Sequence, residues 1–126
     1  MRLLLDSHVA LWALGHPDPL GVECRNHLTE AGEVYFSAVT PWELGIARAK
    51  GRISYPEGLV AELVACGFEE FPITAAHAEA AAILPPHHAD PFDRMLVAQA
   101  QAESLTLMTA DGQLGAYDLT IIDARL

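Results

Sequence analysis

Positive charge is scarce in this sequence of 126 residues, in which 7 Lys and Arg stand against 17 Asp and Glu for a formal net charge of −10. A protein that contacts many phosphates of a nucleic acid needs many basic side chains to replace the counterions of the backbone. The composition therefore argues against broad nucleic-acid binding. Any function on a nucleic acid must be local, with positive charge supplied at the site.

Paired cysteines and long apolar segments are missing as well. Cys24 and Cys66 are the only cysteines, and without CxxC or Cys–His spacing they are typical of core thiols rather than of a disulfide or a zinc site. No segment approaches the roughly 18–20 apolar residues that span a bilayer. The apolar start contains Asp6 and no small-residue cleavage site follows it, which argues against a signal peptide. We therefore expect a cytoplasmic protein without membrane contact.

What the sequence does contain is apolar material for a core, because 52% of its residues are hydrophobic and only 19% are charged. This balance is typical of one compact domain and excludes a disordered or fibrous chain. Short runs of strand-forming residues alternate with segments of helical pattern. Strands separated by helices imply right-handed crossovers and a mainly parallel sheet with helices on both faces. We therefore predict an α/β fold.

The individual elements follow from the apolar pattern and from the Gly and Pro residues that end it. We predict strands at Arg2–Asp6, Glu33–Ser37, Phe68–Ile73, Leu105–Thr109 and Leu119–Ile122. We predict helices at Ser7–Gly15, Leu20–Ala31, Pro41–Lys50, Glu57–Cys66, Thr74–Leu84 and Phe92–Ser104, and a turn or short helix at Ala110–Tyr117. Gly15 and Pro17 are expected to end the first helix, and the Pro-rich segment 85–91 is the clearest loop.

Four acidic residues fall where strands end or where the next helix begins. Asp6 closes the first strand, and Asp111 follows the strand Leu105–Thr109 by two residues. Glu43 and Asp93 each lie in the first turn of a predicted helix. In an open parallel sheet the carboxyl ends of the strands and the N-termini of the following helices share one edge, where ligands bind. We therefore expect these four acids to meet in one cleft.

Local roles explain some of these acids equally well. Thr40 to Glu43 has the pattern of a capping box, and Asp90 is the expected N-cap of the helix that carries Asp93. Acids at a helix start also suit the positive end of the helix dipole, and Asp111 is a good turn residue. Asp6 is different, because an acid that ends a buried strand needs a partner and no Lys or Arg follows it nearby.

The helical spacing nevertheless turns two of the acids toward the sheet. Asp93 shares a helix face with Leu96 and Val97, and Glu43 shares one with Ile46. Two carboxylates about 4–5 Å apart repel by roughly 3–4 kcal/mol at an effective dielectric of about 20. A cluster of them therefore needs a cation or shared protons, and hard oxygen ligands suit Mg²⁺ or Mn²⁺. Such an ion accepts phosphate oxygens and activates water, which is the chemistry of phosphodiester hydrolysis.

For other polar residues near the expected cleft, a functional role and a structural role are both open. Ser7 and Thr109 flank it, and their hydroxyls either orient metal waters and phosphate or serve as ordinary cap and turn groups. Basic side chains also lie close in sequence to the acids, and they either hold flanking phosphates or satisfy a helix end and the solvent. These basic residues are Arg48, Lys50, Arg52 and Arg94.

The histidines and tryptophans are expected to have structural roles. His87 and His88 lie in the Pro-rich loop, and without a sulfur or a third histidine nearby they predict loop surface rather than a zinc site. Trp12 and Trp42 are large apolar side chains, for which packing against the sheet is expected over base stacking or contact with a partner helix.

Four segments together resemble PIN-domain ribonucleases, and more narrowly the VapC-type toxins of bacterial type II toxin–antitoxin modules. In chain order they are LLLDSHVALWAL, SAVTPWELGIARAKGRI, DPFDRMLVAQAQ and LTLMTADGQL, and the most specific part is HxxDPFDRxLxAQA from His87 to Ala100. The resemblance implies a PIN-like three-layer α/β/α domain over residues 1–126, with a mainly parallel sheet of four to five strands. It maps the acidic pocket of the family onto Asp6, Glu43, Asp93 and Asp111, with Asp90 as an accessory acid. Ser7 stands where Thr is common and retains the hydroxyl.

The same resemblance implies a function. Its members are Mg²⁺- or Mn²⁺-dependent endoribonucleases, often acting on tRNA or rRNA, and each is encoded with a cognate antitoxin. Toxins of this group usually form homodimers. On this basis we expect a metal-dependent ribonuclease toxin with an RNA substrate and an antitoxin partner.

Two alternatives remain open at the level of sequence. A phospho-receiver domain also places acids around Mg²⁺ at strand ends, but it needs a Lys after a late strand, and the only lysine here is Lys50 in the helix after the second strand. A non-catalytic PIN-like binding module is the other alternative. The presence of all four acids speaks against it.

Overall fold

The computed structural model describes residues 1–15 and 19–126. The strands are β1 (Arg2–Leu5), β2 (Glu33–Ser37), β3 (Glu69–Phe71), β4 (Thr106–Thr109) and β5 (Ile121–Asp123). The helices are α1 (Ser7–Ala13), α2 (Val22–Glu30), α3 (Val39–Ala49), α4 (Leu59–Ala65), α5 (Ala75–Ala82) and α6 (Pro91–Glu103), followed by a short 3₁₀ helix at Gly112–Ala116. Each predicted element is present with slightly different bounds. Pro17, one of the predicted stops of α1, lies outside the described residues.

The five strands form one sheet in the order β3-β2-β1-β4-β5, and all neighbouring pairs are parallel. β1 is therefore central, with Leu4 opposite Tyr35 on one side and Leu107 on the other. Its three leucines are completely buried, as expected of a strand covered on both faces. This confirms the predicted parallel α/β fold.

Alternation along β1 divides the core into two layers. Leu3 and Leu5 face a cluster that includes side chains of α1, α2 and α4, whereas Leu4 faces a cluster built mainly on α6. Cys24 belongs to the first cluster, as predicted for a core thiol. Cys66 is exposed, so the same prediction is wrong for it, because the residue follows the end of α4 at the surface. In the described part of the chain, no helix has both the length and the apolar character that crossing a membrane requires.

The start of α3 differs from the prediction in a way that affects the site. The helix begins at Val39 rather than Pro41, and the Ser37 hydroxyl accepts a hydrogen bond from the Val39 N–H at 3.1 Å. Thr40 is fully buried inside the first turn and its Oγ1 lies 3.0 Å from Ser7 Oγ. The predicted capping box from Thr40 to Glu43 is therefore wrong, because Ser37 already serves the helix start. This leaves the carboxylate of Glu43 without a capping role.

Candidate metal centre

The four predicted acids meet in one cavity at the carboxyl edge of the sheet. Asp6 and Asp111 follow the strands β1 and β4, Glu43 projects from the second turn of α3, and Asp93 projects from the first turn of α6. The prediction that Glu43 lies in the first turn of its helix is wrong, because α3 begins at Val39. The cavity has a volume of about 270 Å³. Its lining residues are Asp6, His8, Val9, Trp12, Glu43, Asp90, Asp93, Ala110, Asp111 and Arg125. Parallel strands bring these distant segments together because their carboxyl ends share one edge.

Asp6 is the most deeply placed of the acids, with only 7% of the residue exposed. Its Oδ2 accepts a hydrogen bond of 2.5 Å from the Thr109 hydroxyl, and its Oδ1 accepts from the His8 N–H at 3.3 Å and so caps α1. Burial raises the pKa of Asp6, and the hydrogen bond from Thr109 opposes the rise. The partner that this buried acid needs is therefore a hydroxyl from the neighbouring strand.

Thr109 connects two of the acids. Besides donating to Asp6, its Oγ1 accepts a hydrogen bond from the Asp111 N–H at 3.0 Å. The residue is itself buried, at 2% exposure. One hydroxyl thus fixes the side chain of Asp6 and the backbone at Asp111 relative to each other. Ser7, the other predicted hydroxyl, is fully buried beneath the cavity, where its Oγ lies 3.0 Å from Thr40 Oγ1 and its side chain also hydrogen-bonds Glu43.

Asp90 has the capping role that its position predicts. Its Oδ1 accepts hydrogen bonds from the backbone N–H groups of Phe92 at 2.8 Å and Asp93 at 3.2 Å, with Pro91 at the first position of α6. The residue also lines the cavity. Asp90 therefore combines a helix cap with a place in the acidic cluster.

Asp93 and Glu43 are partly withdrawn from water and lie near other negative charges. Burial, followed by the charges of Asp6, Asp90, Glu43 and Asp111, raises the pKa of Asp93 to about 8. Burial also raises the pKa of Glu43; a hydrogen bond from the Ser7 side chain opposes the rise, and the nearby charges of Asp6 and Asp90 add to it. Burial and mutual repulsion thus both disfavour a cluster in which every carboxyl is ionised, unless a cation compensates the charge.

Two overlapping groups of side chains present ligand atoms within 4.8 Å of one another: Glu43, Asp90 and Asp93 form one, and His88, Asp93 and Asp111 form the other. Asp93 belongs to both. Oε1 of Glu43 is buried, and no donor among the described residues reaches it. A buried carboxylate oxygen without a donor is costly, and a divalent cation satisfies it. The oxygen-rich donor set fits Mg²⁺ or Mn²⁺.

The prediction that His88 is loop surface is wrong. Its Nε2 lies 2.9 Å from Oδ2 of Asp111 and 3.4 Å from Oδ2 of Asp93, and its Nδ1 accepts a hydrogen bond from the Asp90 N–H at 3.1 Å. Because Nδ1 accepts, Nε2 carries the proton and donates toward the acids. The ring folds inward because the Tyr117 hydroxyl accepts from the His88 N–H at 3.0 Å. His87 is exposed, as predicted.

The sequence comparison decides the family. Residues 3–119 match the model of the PIN domain. The chain belongs to the PIN domain family. Ribonuclease VapC22 of Mycobacterium tuberculosis is 30% identical to this PIN domain over 118 residues, which cover 91% of each chain. The VapC resemblance is thereby confirmed, and the phospho-receiver alternative is wrong.

Solved structures show the same fold. VapBC2 from Rickettsia felis, bound to a DNA fragment from its promoter, superposes with a TM-score of 0.70 at 18% identity, covering 98% of each chain. FitAcB from Neisseria gonorrhoeae gives a TM-score of 0.68 at 22% identity, also over 98% of each chain. At these identities the likeness concerns the fold alone.

The predicted basic residues of this PIN domain do not line the cavity. Arg94 is turned into the fold, where its guanidinium donates to the backbone carbonyls of Ala81 and Leu84, both at 2.9 Å. It also donates to Pro85 O at 3.1 Å. In this arrangement the side chain holds the α5–α6 connection, and a contact of Arg94 with phosphate stays a prediction.

The other three predicted cations lie at the far end of α3 from Glu43. The guanidinium carbon of Arg48 lies 4.8 Å from the ring centre of Tyr55, while Lys50 and Arg52 are exposed. A contact between these residues and RNA phosphates stays a prediction.

Sequence reasoning missed the place of Arg125 at the cavity and described the two tryptophans only in part. Trp42 is 64% exposed and packs edge-on against Phe92 with ring centres 5.0 Å apart, so its predicted core role is wrong. Trp12 packs against the core as predicted and also lines the cavity. Arg125 lines the cavity from the segment after β5. No motif marks Arg125, since only the pairing of β5 with β4 brings it to this edge.

Proposed function

We propose that residues 1–126 form one PIN domain that acts as a Mg²⁺- or Mn²⁺-dependent endoribonuclease and is the toxic component of a toxin–antitoxin module. The observation that carries the proposal is the convergence of Asp6, Glu43, Asp93 and Asp111 in one cavity, with two potential ligand groups sharing Asp93. The ribonuclease named VapC22 is similar over nearly the whole chain, which supports the same class of substrate.

The side chains that would hold the cation are Glu43, Asp90 and Asp93 in one group, and Asp93 and Asp111 in the other. His88 lies beside the second group and donates from Nε2 to its acids. When bound, such an ion polarises a phosphodiester and lowers the pKa of an associated water for in-line attack. Because burial and the neighbouring charges raise the pKa of Asp93 to about 8, a bound cation would compete with a proton for this carboxyl at neutral pH. Asp6, which is buried next to this group, adds negative charge that favours the cation.

The remaining groups of the site hold these acids in place. Thr109 fixes Asp6 by donating to its Oδ2 and fixes the start of the following turn by accepting from the Asp111 N–H. His88 Nε2 lies within reach of both Asp111 and Asp93 and donates toward their carboxylates, which fixes the two side chains relative to each other. The helix cap at Asp90 sets the first turn of α6, from which Asp93 projects. Because these contacts hold the acidic side chains in place beforehand, the side chains do not need to rearrange during the reaction.

The substrate we infer is RNA, with tRNA or rRNA as the expected class, and the expected products carry 5′-phosphate and 3′-hydroxyl ends. The cation compensates the acids that otherwise repel phosphate. The net charge of −10 restricts the contact to the vicinity of the cavity.

The partner we infer is a cognate antitoxin. Similar folds occur in VapBC2 of R. felis and in VapBC of Salmonella typhimurium, both in complexes with DNA. A homodimer, further association with the antitoxin and a cytoplasmic location stay predictions of the sequence. Co-expression with the neighbouring small open reading frame, followed by size-exclusion chromatography, tests both the homodimer and its association with the antitoxin.

The activity is tested with Asp93→Asn and Asp6→Asn, which remove one negative charge each without changing side-chain size. We expect both to reduce Mn²⁺-dependent cleavage of total tRNA and rRNA by at least about 100-fold, read by sequencing of RNA 5′ ends. Asp118→Asn is the matched control, because Asp118 is exposed and is not among the cavity-lining residues. Full activity in Asp93→Asn and Asp6→Asn contradicts the proposal. Wild-type protein that neither binds Mn²⁺ nor cleaves RNA favours the non-catalytic binding module.

A further inference from the structure

Among the described residues, Arg125 is the only Lys or Arg that lines the acidic cavity. Its Nη1 donates to the backbone carbonyl of Ala110 at 3.2 Å, directly before Asp111. No carboxylate in the described part of the chain lies within 4.0 Å of its guanidinium nitrogens. This guanidinium therefore lies beside a cluster of acids without being paired to any of them.

The backbone around Arg125 is held on both sides. Its own N–H donates to Oδ1 of Asp123 at 2.9 Å, and β5 is registered on β4 with Asp123 opposite Thr109. The carbonyl of Ala124 accepts from the Gly21 N–H at 3.0 Å. A Cβ at Gly21 would come within 2.4 Å of the carbonyl oxygen of Leu126, so the segment packs closely against the start of α2. The position of Arg125 at the cavity is thus built into the fold.

A guanidinium has five N–H donors, and the contact with Ala110 uses Nη1 only. Nη2 and Nε have no acceptor among the described residues. Arginine binds phosphate oxygens with two parallel donors. Because it is not paired with the acids, Arg125 does not compete with a cation for their oxygens. It supplies the local positive charge that a protein with seven basic residues and a net charge of −10 otherwise lacks here.

We infer that Arg125 binds a backbone phosphate of the RNA substrate at the mouth of the acidic cavity, on the β5 side of the site. The inference rests on the proposed function and deepens it by naming a substrate-binding residue. Ala110 orients the guanidinium through its carbonyl, and Nη2 and Nε donate to the phosphate oxygens. The acids and Arg125 then contact the same strand of RNA from adjacent sides.

The test compares Arg125→Gln and Arg125→Lys with the wild-type protein. Arg2→Gln is the matched control, since Arg2 is an exposed arginine at the amino end of β1, on the opposite edge of the sheet, paired with Glu33. The probe is a fluorescein-labelled, degenerate 12-nucleotide RNA, cleaved in Mn²⁺ under single-turnover conditions at several salt concentrations. Half-saturating protein concentration reports binding, and the maximal rate reports chemistry. Titration calorimetry with Mn²⁺ alone measures the metal site separately.

We expect Arg125→Gln to raise the half-saturating concentration about ten-fold, which is roughly 1.4 kcal/mol, with the maximal rate within about two-fold of wild type. The slope of log affinity against log salt should fall in magnitude by about 0.7, the value for one phosphate contact on a single strand. Arg125→Lys should retain the slope, and Arg2→Gln should behave as wild type. Mn²⁺ affinity should be unchanged in all four proteins.

Several outcomes overturn the inference. A wild-type half-saturation and salt slope in Arg125→Gln exclude the phosphate contact, and an equal loss in Arg2→Gln shows a general effect of charge. Loss of Mn²⁺ binding in Arg125→Gln shows that the residue acts through Ala110 on the metal site instead. Wild-type protein that binds Mn²⁺ but cleaves no RNA contradicts the proposed function itself, which distinguishes that failure from the others.

Discussion

Asp93 lies among four other carboxylates, and this neighbourhood makes stability depend on pH. The pKa of Asp93 is raised to about 8 by burial and by the charges of its neighbours, and burial also raises those of Asp6 and Glu43. Between about pH 4 and pH 8 the folded protein therefore binds protons that the unfolded chain has lost. Since the folded state binds more protons, the free energy of unfolding falls as pH rises through this window.

We expect the Tm of the protein in EDTA to decrease from pH 5 to pH 8, and Asp93→Asn to weaken this dependence because it removes the titrating group. Mn²⁺ should raise the Tm more at pH 8 than at pH 5, since protons compete with the cation for the same oxygens. Differential scanning calorimetry measures both effects. The exposed Asp118→Asn variant is the control, and a Tm that rises with pH in EDTA contradicts the expectation.

Thr109 is a second residue for which a prediction can be tested, because the role of its hydroxyl can be separated from that of its methyl group. Replacing it by Val removes the hydroxyl that contacts Asp6 and the Asp111 N–H, leaving two buried groups without a partner. We expect Thr109→Val to lower the free energy of unfolding by about 1–3 kcal/mol and to reduce cleavage, with Thr109→Ser restoring most of both. Urea denaturation and cleavage rates check this. A loss in Thr109→Ser without a loss in Thr109→Val would assign the effect to the methyl group instead of the hydroxyl.

At the scale of secondary-structure elements, the start of α6 combines two functions in Asp90. Asn is as good an N-cap as Asp, but it carries no charge. We expect Asp90→Asn to retain stability while weakening Mn²⁺ binding, whereas Asp90→Ala should lose about 1 kcal/mol of stability as well. Calorimetric Mn²⁺ titration and urea denaturation separate the two effects. Equal Mn²⁺ affinity in Asp90→Asn and the wild type would remove Asp90 from the ligand set.

The connection from α5 to α6 depends on Arg94. Its guanidinium donates to carbonyls at the end of α5 and in the following loop, and the same loop carries His88. Each hydrogen bond from a charged donor contributes about 1.5–3 kcal/mol. We expect Arg94→Ala to lower the free energy of unfolding by about 2–4 kcal/mol and to reduce cleavage by displacing His88. Arg52→Ala, an exposed arginine, should leave stability unchanged in the same urea titration.

At the scale of the whole molecule, the charge distribution predicts a weak dependence of RNA binding on salt. Seven basic residues against 17 acids leave few cations for phosphate contact. For one or two contacts on a single strand we expect a log–log slope of about −1. Half-saturation measured over a range of KCl concentrations gives this slope. A slope of about −3 would mean that the three distant cations at the end of α3 also bind RNA.

Much of the fold follows from local pattern. The leucines of β1 form a short apolar run with no polar alternation, and this predicts a strand buried on both faces. The positions of Gly and Pro residues predict where most of the helices end. The alternation of strands and helices then leaves little freedom for the topology, because parallel crossovers are right-handed. For the same reason the convergence of Asp6, Glu43, Asp93 and Asp111 at one edge was predictable.

The parts of the site that sequence reasoning missed depend on side chains that meet across long separations. His88 turns inward because Tyr117, Asp111 and Asp90 offer it partners, and Arg94 turns away because α5 offers carbonyls. Arg125 reaches the cavity only through the pairing of β5 with β4. Periodicity and caps act within a few residues and so settle the elements and their order. Hydrogen-bond partners and burial are set by packing between elements, and they decide which polar groups face the cavity.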